Sequence, residues 1–341
     1  MQRSTSPVIA IGLPRSGSTF LAHVLSCMKG LYVFDDLYPY QQAKALGLAG
    51  ELNLKQQQAF LDKLSWSARI KVRFKKKIYA FAPKCTWEDI AALEEAVLKT
   101  FEGHSVTWPI LLEEWLTRLA FHHQDTRWGY KTPQDFMNLD KLSELFPGAQ
   151  FVFLMRDPRK VMASFKNLPR KRIPGTAPDG VSGQYHPLVY ANYWQLAYQK
   201  TVTFMRRNPE ASVYIIKFED LVARPDEEAQ KLADFLNTEL SHSVQVERTN
   251  TSFKDKQRQD ITNTEVWLCE MIAGKTMQEV GYDLKSPKPR IQDVLDLFDT
   301  TGNFVFHQTQ RVFRNDRARQ SVIGYLKNLW PLSNRLPDKS S

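Results

Sequence analysis

Residues 8–19 read VIAIGLPRSGST, an apolar run followed by a glycine-rich turn and hydroxyl side chains. The apolar run predicts a buried β-strand over residues 8–12, and the spacing of the apolar residues that follow predicts a helix that begins at about Ser18. Free N–H groups of a first helical turn point at whatever lies before the helix, and the helix dipole favours an anion there. The stretch therefore predicts an α/β fold whose first connection binds an anion.

The turn nearly matches the nucleotide-binding pattern G-x-x-x-x-G-K-[ST], with Gly12, Gly17 and Thr19 in register. Ser18 stands where the pattern has lysine, and the positive charge has moved to Arg15. In nucleotide hydrolases that lysine bridges the β- and γ-phosphates, so the sequence argues against ATP hydrolysis. The planar guanidinium of Arg15 and the neighbouring hydroxyl groups instead suit phosphate or sulfate oxygens.

Composition is that of a globular protein with a full core: 341 residues, 43% hydrophobic and 24% charged. A run of about 18 apolar residues is lacking, and the short polar amino end leaves no room for a signal peptide, so we expect neither a membrane span nor export. Three scattered cysteines, Cys27, Cys85 and Cys269, predict reduced thiols in a cytoplasm and no metal site.

The net charge of +9 is compatible with a nucleic acid, a membrane surface or a small polyanion as partner. The densest basic runs are residues 69–77 and 170–172. Such runs are usually solvated faces, and little aromatic interleaving accompanies them, so nucleic-acid binding is not predicted.

Strand-like and helix-like segments alternate along the chain, which predicts a central parallel sheet flanked by helices. The predicted strands are residues 8–12, 31–34, 128–131, 150–155 and 212–216. Residues 37–124 are mostly helix-forming and too long for a crossover, so we expect a helical cap insertion. The predicted helices are residues 18–29, 41–64, 87–101, 109–123, 134–146, 159–166, 188–207 and 227–236, and residues 167–187 form a long loop.

A second candidate anion site follows the apolar run 150–155. Arg156 stands at the end of this predicted strand, and Ser164 lies in the helix that begins after Asp157-Pro158. Ligands of parallel α/β sheets bind at the carboxyl ends of the strands. Two anion sites at one edge predict a ligand with two separated phosphate-like groups.

The order and spacing of these segments resemble those of the sulfotransferases that use 3′-phosphoadenosine 5′-phosphosulfate (PAPS). Lys131-Thr132-Pro133 precedes Arg156 by 25 residues, which is the spacing of the tyrosylprotein branch. The resemblance covers about residues 8–284 and implies a P-loop NTPase-like sulfotransferase fold. Its other matching segments are residues 14–19, 156–159 with Ser164, 218–221, 250–254 and 281–282; the family's Arg-Lys-Gly tail motif is not clear, and Lys254, Lys256 or Arg258 are its candidate substitutes.

The resemblance also implies the binding residues. It assigns the 5′-phosphosulfate to Arg15, Ser16, Gly17, Ser18 and Thr19, the 3′-phosphate to Arg156 and Ser164, and the adenine to Phe218, Thr251, Ser252 and Phe253. It requires no metal, because a sulfonate carries less charge than a phosphoryl group.

The resemblance gives two different positions for the general base. The cytosolic branch places a histidine two residues after the matching lysine, where this chain has Pro133, whereas the tyrosylprotein branch places a glutamate 21 residues after the loop arginine, which here gives Asp36. A cap that excludes water would raise the pKa of Asp36, and a neighbouring carboxylate would do the same. Lys131 and Arg15 would neutralise the growing charge. The alternative bases are Asp35, His23, His104, His122, His123 and His186.

We therefore expect in-line transfer of a sulfonate group from PAPS to a hydroxyl of a small metabolite or natural product, leaving 3′-phosphoadenosine 5′-phosphate (PAP). The alternatives are a carbohydrate or lipid acceptor, an atypical P-loop kinase, and a non-catalytic binder of nucleotide or polyanion. We expect residues 1–285 to form the sulfotransferase domain and residues 286–341 an extension that packs on it or mediates a homodimer. The aromatic residues offered as flat acceptor surfaces are Trp66, Trp87, Trp108, Trp115, Tyr185 and Tyr190.

Overall fold

The computed structural model of the chain describes residues 6–73, 84–167, 185–246 and 260–314. The chain divides into two compact units, one made of Met1–Asp157 with Trp194–Asn250 and the other of Pro158–Tyr193 with Thr251–Ser341. The first unit holds the main sheet and the second is built from helices.

The sheet of the first unit has five parallel strands in the order β2-β5-β1-β6-β7. The described strands are β1 (Val8–Gly12), β2 (Leu31–Asp35), β3 (Glu51–Leu52), β4 (Val106–Thr107), β5 (Arg127–Lys131), β6 (Gln150–Met155) and β7 (Val213–Lys217). Helices flank this sheet, so the expected α/β fold with a central parallel sheet is confirmed.

The central strands read as continuous apolar runs because both of their faces are covered. Every residue of β1, β2 and β6 is buried. The register pairs Gly12 of β1 with Leu154 of β6 and Asp35 of β2 with Lys131 of β5. The carboxyl ends of these strands therefore meet at one edge, where polar residues begin.

The described helices mostly follow the predicted ones. They are α1 (Ser18–Ser26), α2 (Pro39–Ala45), α3 (Leu54–Arg73), α4 (Trp87–Thr100), α5 (Trp108–His122), α6 (Leu139–Leu145), α7 (Pro158–Lys166), α8 (Pro187–Arg207), α9 (Phe218–Ala223), α10 (Pro225–Leu236), α11 (Asn263–Glu279) and α12 (Ile291–Arg314), with a 3₁₀ helix at Pro133–Asn138. Across the described ranges we find no helix with the length and apolar character needed to span a bilayer.

The prediction of one helix over residues 41–64 is wrong. Gly47 and Gly50 adopt φ of 65° and 64°, a left-handed conformation that ends α2 and leads into the short strand β3. Strand β3 pairs antiparallel with β4, and α3 then begins at Leu54 and extends to Arg73. The helical cap therefore contains a two-stranded ribbon, and its longest helix ends nine residues later than predicted.

The second unit contains α7, α11 and α12. Ion pairs fix α7 to α11: Arg159 Nη1 lies 2.8 Å from Glu270 Oε1, and Lys166 Nζ lies 2.8 Å from Glu265 Oε2. Thr262 and Glu265 form a capping box at the start of α11. Of the expected extension over residues 286–341, the described part reaches residue 314 and holds α12.

Candidate active site at the carboxyl edge of the sheet

The loop between β1 and α1 requires glycine at both of its ends. A Cβ atom on Gly12 would lie 2.6 Å from the carbonyl oxygen of Leu154, and one on Gly17 would lie 2.3 Å from the ring of Phe218. Gly17 also has φ of 98° and Arg15 has φ of 71°, so the loop turns through left-handed backbone. The loop is thus shaped by strand β6 on one side and by Phe218 on the other.

The amino end of α1 keeps its positive dipole exposed to a ligand. Gly17 is its N-cap, and among the described residues no side chain caps this end and no acidic residue stands in the first turn. The buried hydroxyl of Ser16 donates to the carbonyl of Leu13 at 2.7 Å, so it shapes the loop. Burial lowers the pKa of the Arg15 guanidinium from its ordinary value. These features suit an anion at the loop.

Arg156 lies directly beside the loop. Its Nη1 donates to the carbonyl of Arg15 at 3.2 Å, and its guanidinium lies over the ring of Phe218, 4.4 Å from the centroid. The indole of Trp194 donates to the Arg156 carbonyl at 2.8 Å. The structure therefore brings Arg15, Arg156 and Phe218 together, with the ring of Phe218 against both Gly17 and Arg156.

The other predicted binding residues are placed differently. Ser164 is buried on α7, in the second unit. Thr251, Ser252 and Phe253 lie outside the described residues, as do the three basic residues considered for the tail motif.

A charged cluster occupies the ends of β2 and β5. The Lys131 ammonium lies 2.7 Å from Asp35 Oδ1 and donates to Asp36 Oδ1. Lys71, in the last turn of α3, places its Nζ 3.5 Å from Asp35 Oδ2 and 3.7 Å from Asp36 Oδ2. Two lysines thus face two adjacent carboxylates.

The two carboxylates differ in access to solvent. The side chain of Asp35 is 6% exposed and that of Asp36 is 40% exposed. Asp36 directly follows β2 and has φ of 56°, in the left-handed region. Although burial works to lower the pKa of Lys131, Asp35 and Asp36 raise it above the ordinary value. Lys131 is therefore an ammonium ion that lies between the two carboxylates.

Asp135 is fully buried and forms a second polar cluster next to the first. Its Oδ1 accepts hydrogen bonds from Gln41 Nε2 at 2.7 Å and Asn138 Nδ2 at 3.2 Å. Burial raises the pKa of Asp135 to about 6, against the effect of these hydrogen bonds. Gln41 belongs to α2, so this cluster joins the cap insertion to the segment that follows Lys131.

Asp135 makes stability depend on pH. Because its pKa of about 6 lies above the value of about 3.9 expected in an unfolded chain, the folded chain binds more protons between these values, and stability is lost as the pH rises through about 6. We expect the free energy of unfolding of wild type to fall relative to Asp135→Asn, by about 1.4 kcal/mol per pH unit within that interval. Urea titrations from pH 4 to 7.5 measure this, with the exposed Asp140→Asn as control. An unchanged difference between wild type and Asp135→Asn at all pH values would contradict it.

The histidines named as alternative bases lie elsewhere. His122 and His123 are at the carboxyl end of α5, which leads to the amino end of β5 and so to the opposite edge of the sheet. His123 stacks on Tyr32, and burial lowers its pKa to about 4. His23 lies in the last turn of α1, away from the loop. The remaining two also have local contacts: His104 with the Glu102 carbonyl, and His186 with Thr301 in the second unit.

Several aromatic residues expected as acceptor surfaces have other contacts. Tyr190 stacks on Phe165 at 3.9 Å and on Tyr185 at 5.9 Å between ring centroids, so its ring already has two aromatic partners. Trp108 and Trp115 are buried in the core of the cap. The exposed ones are Trp66 and Trp87.

Sequence reasoning missed the contacts of Lys71, Asp135 and Trp194. Lys71 belongs to a basic run interpreted as a solvated face, and only its position at the end of a long helix brings it to Asp35 and Asp36. Asp135 follows Lys131 by four residues, and this short spacing could have drawn attention to it. Trp194 carries no sequence signal for its contact with Arg156.

The sequence model described as "Sulfotransferase family" matches residues 7–242. The match covers more than half of the chain, and the chain therefore belongs to the sulfotransferase family.

Among curated relatives, the nodulation protein NoeE of Sinorhizobium fredii (strain NBRC 101917 / NGR234) is 26% identical over 215 residues, which are 54% of this chain and 50% of NoeE. The chain thus spans about half the length of that relative. The sulfotransferase domain from the curacin biosynthetic pathway superposes with a TM-score of 0.50 at 18% identity, covering 83% of this chain and all of that domain. The sulfotransferase domain of the Synechococcus PCC 7002 olefin synthase gives a TM-score of 0.47 at 16% identity, and the match covers 80% of this chain and 96% of that domain. The curacin-pathway domain shares the fold of this chain.

Proposed function

We propose that this sulfotransferase moves a sulfonate group from PAPS to a hydroxyl group of a small metabolite or natural product. The observation that carries the proposal is the juxtaposition of strand ends at one sheet edge: the arginine-bearing loop follows β1, and the ion pair of Asp36 with Lys131 lies at the ends of β2 and β5. An anion-binding loop and a carboxylate base are the two parts that sulfuryl transfer to a hydroxyl needs.

The loop residues fit the donor. Arg15 and the backbone of Gly17, Ser18 and Thr19 would hold the 5′-phosphosulfate, since the amino end of α1 has neither a side-chain cap nor an acidic residue among the described residues. The hydroxyl of Ser16 would support this loop through its bond to Leu13. Arg156 and Phe218 would extend the nucleotide site next to the loop, and the roles that the resemblance gives Ser164, Thr251, Ser252 and Phe253 stay predictions.

The chemistry divides among three side chains. PAPS, when bound, supplies an electrophilic sulfonate on a phosphate leaving group. Asp36, the more exposed of the two carboxylates, would accept the proton of the acceptor hydroxyl. The hydroxyl oxygen of the acceptor would bond to sulfur in the same step. Lys131 would hold Asp36 in place and contribute a positive field, and Arg15 would stabilise the charge on the departing phosphate oxygen.

We also propose an acceptor class and a cellular compartment. The curacin-pathway domain, which shares the fold, suggests a natural-product hydroxyl. Cys27, Cys85 and Cys269 are buried and form no disulfide within the described ranges, and burial raises the pKa of the Cys27 and Cys85 thiols to about 11. Protonated, buried thiols suit a reducing compartment, which we propose to be the cytoplasm.

The donor can be tested with ³⁵S-labelled PAPS and a panel of hydroxylated acceptors, with γ-³²P-labelled ATP in parallel. We expect transfer of ³⁵S in the presence of EDTA and no transfer of ³²P. Arg15→Met is expected to weaken PAP binding by about 10- to 100-fold, because it removes charge-assisted hydrogen bonds to the 5′-phosphate. The exposed Arg206→Met is the matched control. Transfer of ³²P, or unaltered PAP binding by Arg15→Met, would contradict the proposal.

A further inference from the structure

Lys71 connects the cap insertion to the proposed base. Lys71 lies in the last turn of α3, and its side chain is 26% exposed. Its ammonium is within 4 Å of both carboxylates that end β2.

The two lysines contact different oxygens of the same carboxylates. Lys131 lies against Oδ1 of Asp35 and Oδ1 of Asp36, whereas Lys71 faces Oδ2 of Asp35 and Oδ2 of Asp36. Each carboxylate therefore has an ammonium group near both of its oxygens, and among these four side chains two positive charges face two negative charges. Without Lys71, two adjacent carboxylates would share the single ammonium of Lys131, and their mutual repulsion would be less screened.

We propose that Lys71 is a positioning residue for sulfuryl transfer, through which the cap insertion holds the Asp36 carboxylate ionised and oriented at the edge of the sheet. The inference rests on the proposed function, because it takes Asp36 as the base. On this inference the cap insertion supports proton transfer at Asp36, in addition to any contact that it makes with the acceptor.

The charged and titratable groups near Asp36 determine how removal of Lys71 should affect its protonation. Lys131 approaches from β5, Lys71 from α3 and Asp35 from β2. Tyr38 bonds to the Asp36 side chain, and burial together with Asp36, Asp35 and Asp135 raises the pKa of its hydroxyl, so Tyr38 stays neutral. Within the described ranges Lys71 is one of two cations that ion-pair with Asp36 in the contacts given above, and removing it should make the Asp36 carboxylate easier to protonate.

The test uses the full chain with Lys71→Met and Lys71→Arg. The matched control is Lys63→Met, which removes an exposed lysine two turns earlier on the same helix. Carboxyl ¹³C NMR of aspartate-labelled protein follows the titration of Asp36, with the signal assigned by Asp36→Asn. The pH dependence of kcat is measured with PAPS and the best acceptor of the panel, and PAP affinity is measured by calorimetry.

We expect Lys71→Met to move the titration of Asp36 and the acid limb of kcat upward by about one pH unit. Lys71→Arg should restore both, and PAP affinity should change less than about threefold, within the scatter of a surface substitution. An unmoved Asp36 titration in folded Lys71→Met would overturn the inference while leaving the proposed function intact. Near-normal turnover of Asp36→Asn would remove the base itself, and with it both proposals.

Discussion

Replacement of Asp36 by asparagine is expected to lower kcat by about 10²- to 10⁴-fold, because the amide cannot accept the proton of the acceptor hydroxyl. The fold should survive the change. Asparagine has nearly the same shape and tolerates the φ of 56° at this position, and Lys131 keeps Asp35 as a partner at 2.7 Å. PAP affinity should therefore stay close to that of wild type, since the anion loop is untouched.

Single-turnover transfer from labelled PAPS and calorimetric binding of PAP together measure this effect. Asp36→Glu retains a carboxylate and should keep part of the activity. The exposed Asp234→Asn, which removes an aspartate from α10, serves as control. If Asp36→Asn turned over at a near-normal rate with unaltered PAP binding, another group would be the base.

Replacement of Lys131 by methionine is expected to destabilise the protein by about 3–5 kcal/mol, the usual consequence of breaking a buried ion pair. Lys131 is 1% exposed and the side chain of Asp35 is 6% exposed, so the substitution would leave a buried carboxylate without its nearest cation. Turnover should fall as well, because Asp36 would lose the group that orients it. Urea unfolding at pH 7 measures the loss of stability.

A double variant separates the two effects. Lys131→Met with Asp35→Asn removes the charge of both buried partners, and the pair of changes should restore much of the stability that Lys131→Met alone loses. Turnover should stay low in the double variant. A single Lys131→Met variant as stable as wild type would show that the ion pair contributes nothing to the fold.

The parts of this fold that the sequence predicts best are those set by local patterns. Strands β1 and β6 are almost wholly apolar because both of their faces are buried, so the sequence alone predicts where they begin and end. The meeting of Asp36 with Lys131 also follows, since parallel strands bring their carboxyl ends to one edge. The break between α2 and α3 was missed because single glycines such as Gly47 and Gly50 are tolerated in helices.

The contacts that sequence reasoning could not supply are those between distant segments. The ring of Phe218 fills the space that a side chain at position 17 would need, and only the paired strands bring those two segments together. Lys71 depends on the length and direction of α3, which a basic run does not reveal. The role of Phe218 beside the adenine stays a prediction, and its contact with the Arg156 guanidinium is a further one that the sequence does not indicate.

The pairing of β1 has a consequence for synthesis of the chain. Val8 pairs with Gly129 on one side and with Gln150 on the other. The ribosome therefore synthesises β1 about 120 residues before the first strand that pairs with it. At 5–20 residues per second this interval is of the order of ten seconds on the ribosome. During that time a wholly apolar strand has both edges open to other chains, which is the usual origin of aggregation. Overproduction of the protein should therefore benefit from slow translation or added chaperones, and the strand that carries the anion loop sets this requirement.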